Sequence, residues 1–126
     1  MKLQDKVAIV TGAGSGIGKA IAGLFAREGA KVVVSDIDKE KADEVVEEIT
    51  FTGGNAIAVI ADVTKEEDVQ NLVDATVYKY GTMDILVNSA GIMDSFVPAG
   101  AVTDELWEKV FGVNVTGAMR MIRKAL

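Results

Sequence analysis

A chain of 126 residues, 49% hydrophobic and 25% charged, has a globular balance, and at this length folding removes roughly two-thirds of the extended chain's surface from water. Its net charge of −6 argues against nucleic acid or an anionic membrane as the main partner, since both call for a basic surface. With neither cysteine nor histidine, it excludes disulfides, thiolate metal sites and any Ser-His or Cys-His nucleophile.

Residues 1–6 (MKLQDK) hold no apolar leader, and no stretch approaches the ~20 apolar residues of a membrane span, so a cytoplasmic location is expected. Residues 7–10 (VAIV) are apolar at consecutive positions and predict a strand covered on both faces. From 17 to 28, Ile17, Ile21, Leu24 and Phe25 recur at helical spacing, and Gly29 supplies a stop. The β-branched run 32–34 predicts a second strand. Residues 38–50 set Val45, Val46 and Ile49 among Lys and Glu, the pattern of a surface helix. Gly53-Gly54 then turn the chain into a strand over 56–60. Thr64-Lys65-Glu66-Glu67 fits a capping box in which Glu67 reaches back to the Thr64 amide. The helix it starts carries Val69, Leu72, Val73 and Val77 and stops at Gly81. Residues 85–87 (ILV) predict a fourth strand, and 91–101 a loop with the one proline, Pro98. Thr103 caps a last helix through Leu106, Val110, Phe111 and Val113 towards Ile122. Alternating strands and helices, undivided by any linker, predict one domain over 1–126, a three-layer α/β sheet with parallel strands.

The segment TGAGSGIG puts Gly12, Gly14, Gly16 and Gly18 where the first strand hands over to a helix. Unpaired N–H groups and the helix dipole favour an anion there, and glycine lets the backbone approach it closely. The spacing is not G-x-G-x-x-G, because position 17 is Ile, nor a P-loop, because Ala13 and Ala20 stand at required positions. It is T-G-x-x-x-G-I-G. Asp36 closes the second strand 18 residues after Gly18. A carboxylate there can accept both hydroxyls of an adenosine ribose and would repel a 2′-phosphate. Neither Ser15 nor Ile37 is basic, so NAD is expected over NADP. Residues 9–14 (IVTGAG) and 86–91 (LVNSAG) echo each other, and in a doubly wound sheet the first and fourth strands flank the point where ligands bind.

These motifs, in this order, resemble the short-chain dehydrogenase/reductase family from Lys6 to Leu126. The resemblance implies a Rossmann-like α/β sandwich with strand order 3-2-1-4, incomplete relative to the family. It also implies hydride transfer between a nicotinamide and a carbonyl or alcohol, 3-oxoacyl reduction being one such activity. TGAGSGIG is similar to the family's cofactor loop, and Asp62-Val63 to the pair that contacts adenine. Asn88-Ser89-Ala90-Gly91 is similar to Asn-Asn-Ala-Gly, with Ser89 in place of the second Asn. Asn114 matches the family's catalytic-site asparagine, which helps hold a water of the proton relay. The cofactor-binding residues so implied are Gly12, Ser15, Gly16, Ile17, Gly18, Asp36, Ile37, Asp62, Val63, Asn88, Ala90 and Gly91, with no metal. By their own chemistry Asp62 serves equally to cap a turn, and the Asn88 carboxamide equally to tie one loop to the next. Asn114 falls among apolar neighbours, where a buried amide needs partners.

The family also uses a tyrosine as acid/base, a lysine four residues on, and a serine that holds the substrate oxygen. A phenol, with a pKa near 10, is a poor base at neutral pH without a cation beside it. Tyr78 is followed four residues later by Thr82 and Tyr80 by Asp84, and both fall on the third helix, away from the strand ends that carry the site. The chain therefore reads as the cofactor half of such an enzyme, truncated by design, by proteolysis or in the gene. It is expected to bind NAD weakly without turnover, a carbonyl or alcohol substrate requiring the other half. Two further readings stay open, a non-catalytic nucleotide-binding module or partner subunit and a half-fold with no ligand role. In the order 3-2-1-4 the apolar fourth strand is an edge and the helix from Leu106 loses part of its packing, from which a homo-oligomer joined through the fourth strand, the fourth helix or both is expected.

Overall fold

A computed structural model describes residues 2–89, 104–105 and 118–125 of the chain. The elements run β1 (Val7–Thr11), α1 (Gly16–Arg27), β2 (Lys31–Asp36), α2 (Lys39–Phe51), β3 (Asn55–Ile60), α3 (Glu66–Tyr80), β4 (Ile85–Asn88) and α4 (Ala118–Ala125). The four expected strands and the first three helices form, their ends moved by one or two residues. Asp104 and Glu105 are helical, where the last helix was expected to start. Its middle, with Leu106, Val110, Phe111 and Val113, lies outside the described residues, as does the loop 91–101.

All strand pairs are parallel, in the order β3-β2-β1-β4. Side chains alternate across a strand, so Val10, Val32 and Val34 face Ala22 of α1 and Ala42, Val45 and Ile49 of α2. Ile9 and Val33 face the other way, towards Val69 and Leu72 of α3 and Met121 of α4. Among the described residues α1 and α2 cover one face and α3 and α4 the other, which makes three layers, and burial on both faces is why the central strands read as unbroken apolar runs. Truncating one of these side chains to alanine would cost ~2–5 kcal/mol for the larger ones. Asp84 fixes where β1 begins: its Oδ2 accepts from the Val7 amide at 2.9 Å, and its own amide donates to the Val7 carbonyl at 2.8 Å.

The capping box expected at Thr64 is not made. Lys65 occupies the N-cap of α3 with no side-chain cap bond. The Thr64 hydroxyl and amide instead donate to Asp62 Oδ1, at 2.5 and 2.9 Å. A local side-chain-to-backbone turn has outcompeted the cap, and Glu66, Glu67 and Asp68 supply the negative charge that the first turn of α3 favours. By contrast α2 is capped by Asp38, whose Oδ1 accepts from the Lys41 amide at 3.2 Å. Among the described residues no helix is long and apolar enough to cross a membrane.

Candidate functional site

The C-terminal ends of the strands gather three segments that lie far apart in the chain. After β1 the glycine loop hangs on the end of β2. The Ala13 amide donates to the Ser35 carbonyl at 2.9 Å, and the Gly14 amide to Asp36 Oδ2 at 2.9 Å. Asp36 Oδ1 accepts from the Asp38 amide at 2.9 Å. One carboxylate thus joins the loop to the β2–α2 turn. Gly16 sits at φ 58°, a left-handed conformation that side chains disfavour. At Gly18 closeness is the constraint: a Cβ would overlap the Gly12 carbonyl oxygen and lie 3.1 Å from Ser89 Oγ.

The start of α1 differs electrostatically from that of its neighbours. Ser15 is its N-cap without a side-chain cap bond, and no acidic residue lies in its first turn. The first turn of α2 contains Glu40, and that of α3 contains three carboxylates. The partial positive charge of a helix N-terminus, about half an elementary charge, therefore has no carboxylate of its own turn to answer it in α1. Ile17, in that first turn, and Ile37, next to Asp36, are both largely exposed.

The echo between the first and fourth strands proves to be spatial. Ile9 pairs with Leu86, Val10 with Val87 and Thr11 with Asn88 across the β1–β4 ladder. The tie beyond the ladder runs through Thr11, whose hydroxyl donates to the Val87 carbonyl at 3.3 Å and accepts from the Ser89 amide at 3.1 Å. Among the described residues the Asn88 side chain makes no such tie. Ala90, Gly91 and Asn114 lie outside the described residues.

The β3–α3 turn completes the rim, joined to β2 by the Ala61 amide donating to the Asp36 carbonyl at 3.1 Å. Asp62 donates its amide to Asp68 Oδ2 at 2.9 Å, and Lys65 donates to the Asp62 carbonyl at 3.0 Å. Of the five amides from 61 to 65, that of Val63 alone lacks a partner among the described residues. Asp62 Oδ2 likewise accepts no hydrogen bond among them. Burial opposes ionisation of Asp62, but the Thr64 hydroxyl and amide, helped by Lys65 and Arg120, outweigh it and hold its carboxyl below the usual range. An ionised acceptor and a donor that has no partner among the described residues therefore stand side by side. Sequence reasoning missed the residues that arrange them, Asp68, Glu66 and Arg120, and no local signal pointed to the last.

Neither tyrosine joins this rim. Tyr80 donates to Asn55 Oδ1 at 2.8 Å, at the opposite, N-terminal end of β3, and burial pushes its phenol up. Tyr78 is almost fully exposed. A cleft of about 460 Å³ between α1 and α2, lined by Lys19, Gly23, Glu48 and Thr52 among others, shares only Gly16 with the candidate site residues. Among the described residues no three His, Cys, Asp or Glu are grouped to hold a metal.

A parallel sheet of order 3-2-1-4 with a glycine loop opening its first helix, beside the strand pair where the order reverses, defines a Rossmann-like fold. More particularly, the chain belongs to the short chain dehydrogenase family, whose model matches residues 6–126. It is 48% identical over 119 residues to an uncharacterized oxidoreductase of Methylorubrum extorquens, covering 94% of this chain and 48% of that one. It is 38% identical over 124 residues to the short chain dehydrogenase/reductase dpchG of Colletotrichum higginsianum, covering 98% and 46%. Among solved structures it is similar to 3-ketoacyl-(acyl-carrier-protein) reductase from Brucella melitensis complexed with NADH, at TM-score 0.94 and 48% identity, covering 98% of this chain and 50% of that one. The chain thus spans about half the length of the relatives it matches. The family binds NAD(P).

Proposed function

We propose that the chain binds NAD and is the dinucleotide-binding part of a short-chain oxidoreductase that interconverts a carbonyl and an alcohol. The observation that carries this reading is Asp36, held by the Gly14 amide beside the uncapped start of α1. In it, the loop and the first turn of α1 (Gly12, Ser15, Gly16, Ile17 and Gly18) receive the diphosphate. Asp36 accepts the adenosine ribose hydroxyls, and Ile37 packs beside them. Asp62 Oδ2 accepts from the adenine amino group while the Val63 amide donates to a ring nitrogen. Asn88, Ala90 and Gly91 serve the nicotinamide side, and Asn114 holds a water for the proton relay. When bound, the nicotinamide supplies or takes up a hydride. This chain's residues orient the dinucleotide but hold no Tyr-x-x-x-Lys pair, so it binds without turning substrate over. The NADH-bound ketoacyl reductase that it resembles favours a 3-oxoacyl type of substrate for the longer protein. Self-association through β4 belongs to the same reading, because β4 is an outer strand of the sheet among the described residues.

The test is titration of the chain with NADH and NADPH, following nicotinamide fluorescence, alongside Asp36→Asn. Hydrogen bonds to a charged group are worth about 1.5–3 kcal/mol, so the variant should lose roughly tenfold or more in NADH affinity. It should also narrow the preference for NADH over NADPH, because the charge that repels a 2′-phosphate is gone. An unchanged preference would refute the role given to Asp36.

A further inference from the structure

We infer that Arg120 is a positioning residue for adenine recognition, holding the Asp62-Val63 turn in place from the far side of the chain. The inference rests on the dinucleotide reading above and goes beyond it to a residue that touches no part of the ligand. Arg120 lies on α4, one position before Met121, which is fully buried in the core beneath β1 and β2. That anchorage fixes where the guanidinium starts. From there Nη1 donates to the Val63 carbonyl at 3.4 Å, and Nε lies 3.3 Å from Glu66 Oε2 at the start of α3. One nitrogen of the planar guanidinium therefore donates to the start of a short turn while another faces, as an ion pair, the carboxylate at its end, a shape that a single-point ammonium does not reproduce.

The rest of the turn explains why this grip matters. Asp68 holds the Asp62 amide, Thr64 closes on Asp62 Oδ1, and Lys65 closes on the Asp62 carbonyl. All of these bonds come from within the turn or its own helix. Arg120 is the tie from α4, 57 residues away in sequence, and it meets the carbonyl of Val63, the residue whose amide has no partner among the described residues. Holding that carbonyl sets the tilt of the Val63 backbone and so the direction in which the amide points. The guanidinium charge also favours the ionised form of Asp62, the form that accepts from an adenine amino group. A surface ion pair would contribute little by itself. With its side chain about one quarter exposed, Arg120 acts through geometry.

The experiment compares binding of NADH and of reduced nicotinamide hypoxanthine dinucleotide, in which a carbonyl replaces the adenine amino group and would face the Asp62 carboxylate. The unaltered chain should prefer NADH. Arg120→Gln should weaken NADH by roughly tenfold and the hypoxanthine dinucleotide much less, collapsing the ratio between them. Arg120→Lys, which keeps the charge and the fold but not the two-point grip, should fall between. Hydrogen exchange in the segment 61–65 should quicken in Arg120→Gln without ligand, while exchange in the glycine loop stays as it was. A ratio unchanged in both variants overturns the inference and leaves the dinucleotide reading standing. Failure of the unaltered chain to bind NADH overturns both.

Discussion

At Asp62 a single carboxylate oxygen accepts from both the hydroxyl and the amide of Thr64, and the other is left to the rim of the site. The arrangement has a sign in acid. The folded-state carboxyl titrates below a free aspartate's pKa of about 3.9. Its contribution to stability is thus complete above that value and lost as pH falls through the lower, folded-state one. Melting followed by circular dichroism should therefore show an acid limb below about pH 4 that becomes shallower in Asp62→Ala. The variant should already be less stable at neutral pH, where the turn has lost its acceptor. An acid limb of unchanged depth would mean that other carboxylates carry it. The same residue shows why the capping box does not form. Thr64 and Glu67 have the right spacing, but an aspartate two positions before the threonine offers its hydroxyl a nearer acceptor, and proximity decided the outcome.

Helix α1 carries the contrast between glycines that are needed and glycines that are tolerated. Replacing a helical glycine by alanine ordinarily stabilises by about 0.5–1 kcal/mol. At Gly23 nothing opposes that gain: the nearest atom to an added Cβ is the flexible end of Arg27, at 3.5 Å. At Gly18 the Gly12 carbonyl blocks the position, its carbon only 2.8 Å from an added Cβ, and backbone has to move, at a cost of about 1–3 kcal/mol. Gly23→Ala should raise the melting temperature and leave NADH affinity alone, whereas Gly18→Ala should lower both stability and affinity. Equal melting temperatures for the two would refute the close-approach argument. Elements of this kind were legible because their causes are local. Unbroken apolar runs mark strands buried on both faces, 3.6-residue spacing marks the helices, and glycine punctuation marks where they stop. The loop and Asp36 were legible for the same reason, since each sits at a junction that its neighbours announce. The bond between Gly14 and Asp36 was not, because nothing in either segment encodes their distance. Arg120 was still less so: its role depends on α4 meeting a turn 57 residues away, which only the packed fold brings about.

On the scale of the whole molecule, an acidic surface opposes an apolar edge. Ile85, Leu86 and Val87 are only half-buried, and among the described residues β4 has no strand on its outer side. The strand carries neither the lysine nor the proline with which exposed edges are commonly blunted. A strand outermost among the described residues favours pairing with a second copy, while a net charge of −6 on each chain pushes the copies apart. Salt weakens the second effect much more than the first, because the screening length falls from about 30 Å at 0.01 M to about 8 Å at 0.15 M. Light scattering should therefore show a mass above that of the monomer that grows with protein concentration and grows further when salt is added. Ile85→Lys is the informative variant, since Ile85 belongs to neither core cluster whereas Leu86 and Val87 pack against them. It should restore the monomer with little loss of stability and leave NADH affinity intact, Ile85 standing at the start of β4, the opposite end from Asn88. A monodisperse monomer at high concentration in 0.15 M salt would show that charge, or a cover over β4, outweighs the edge.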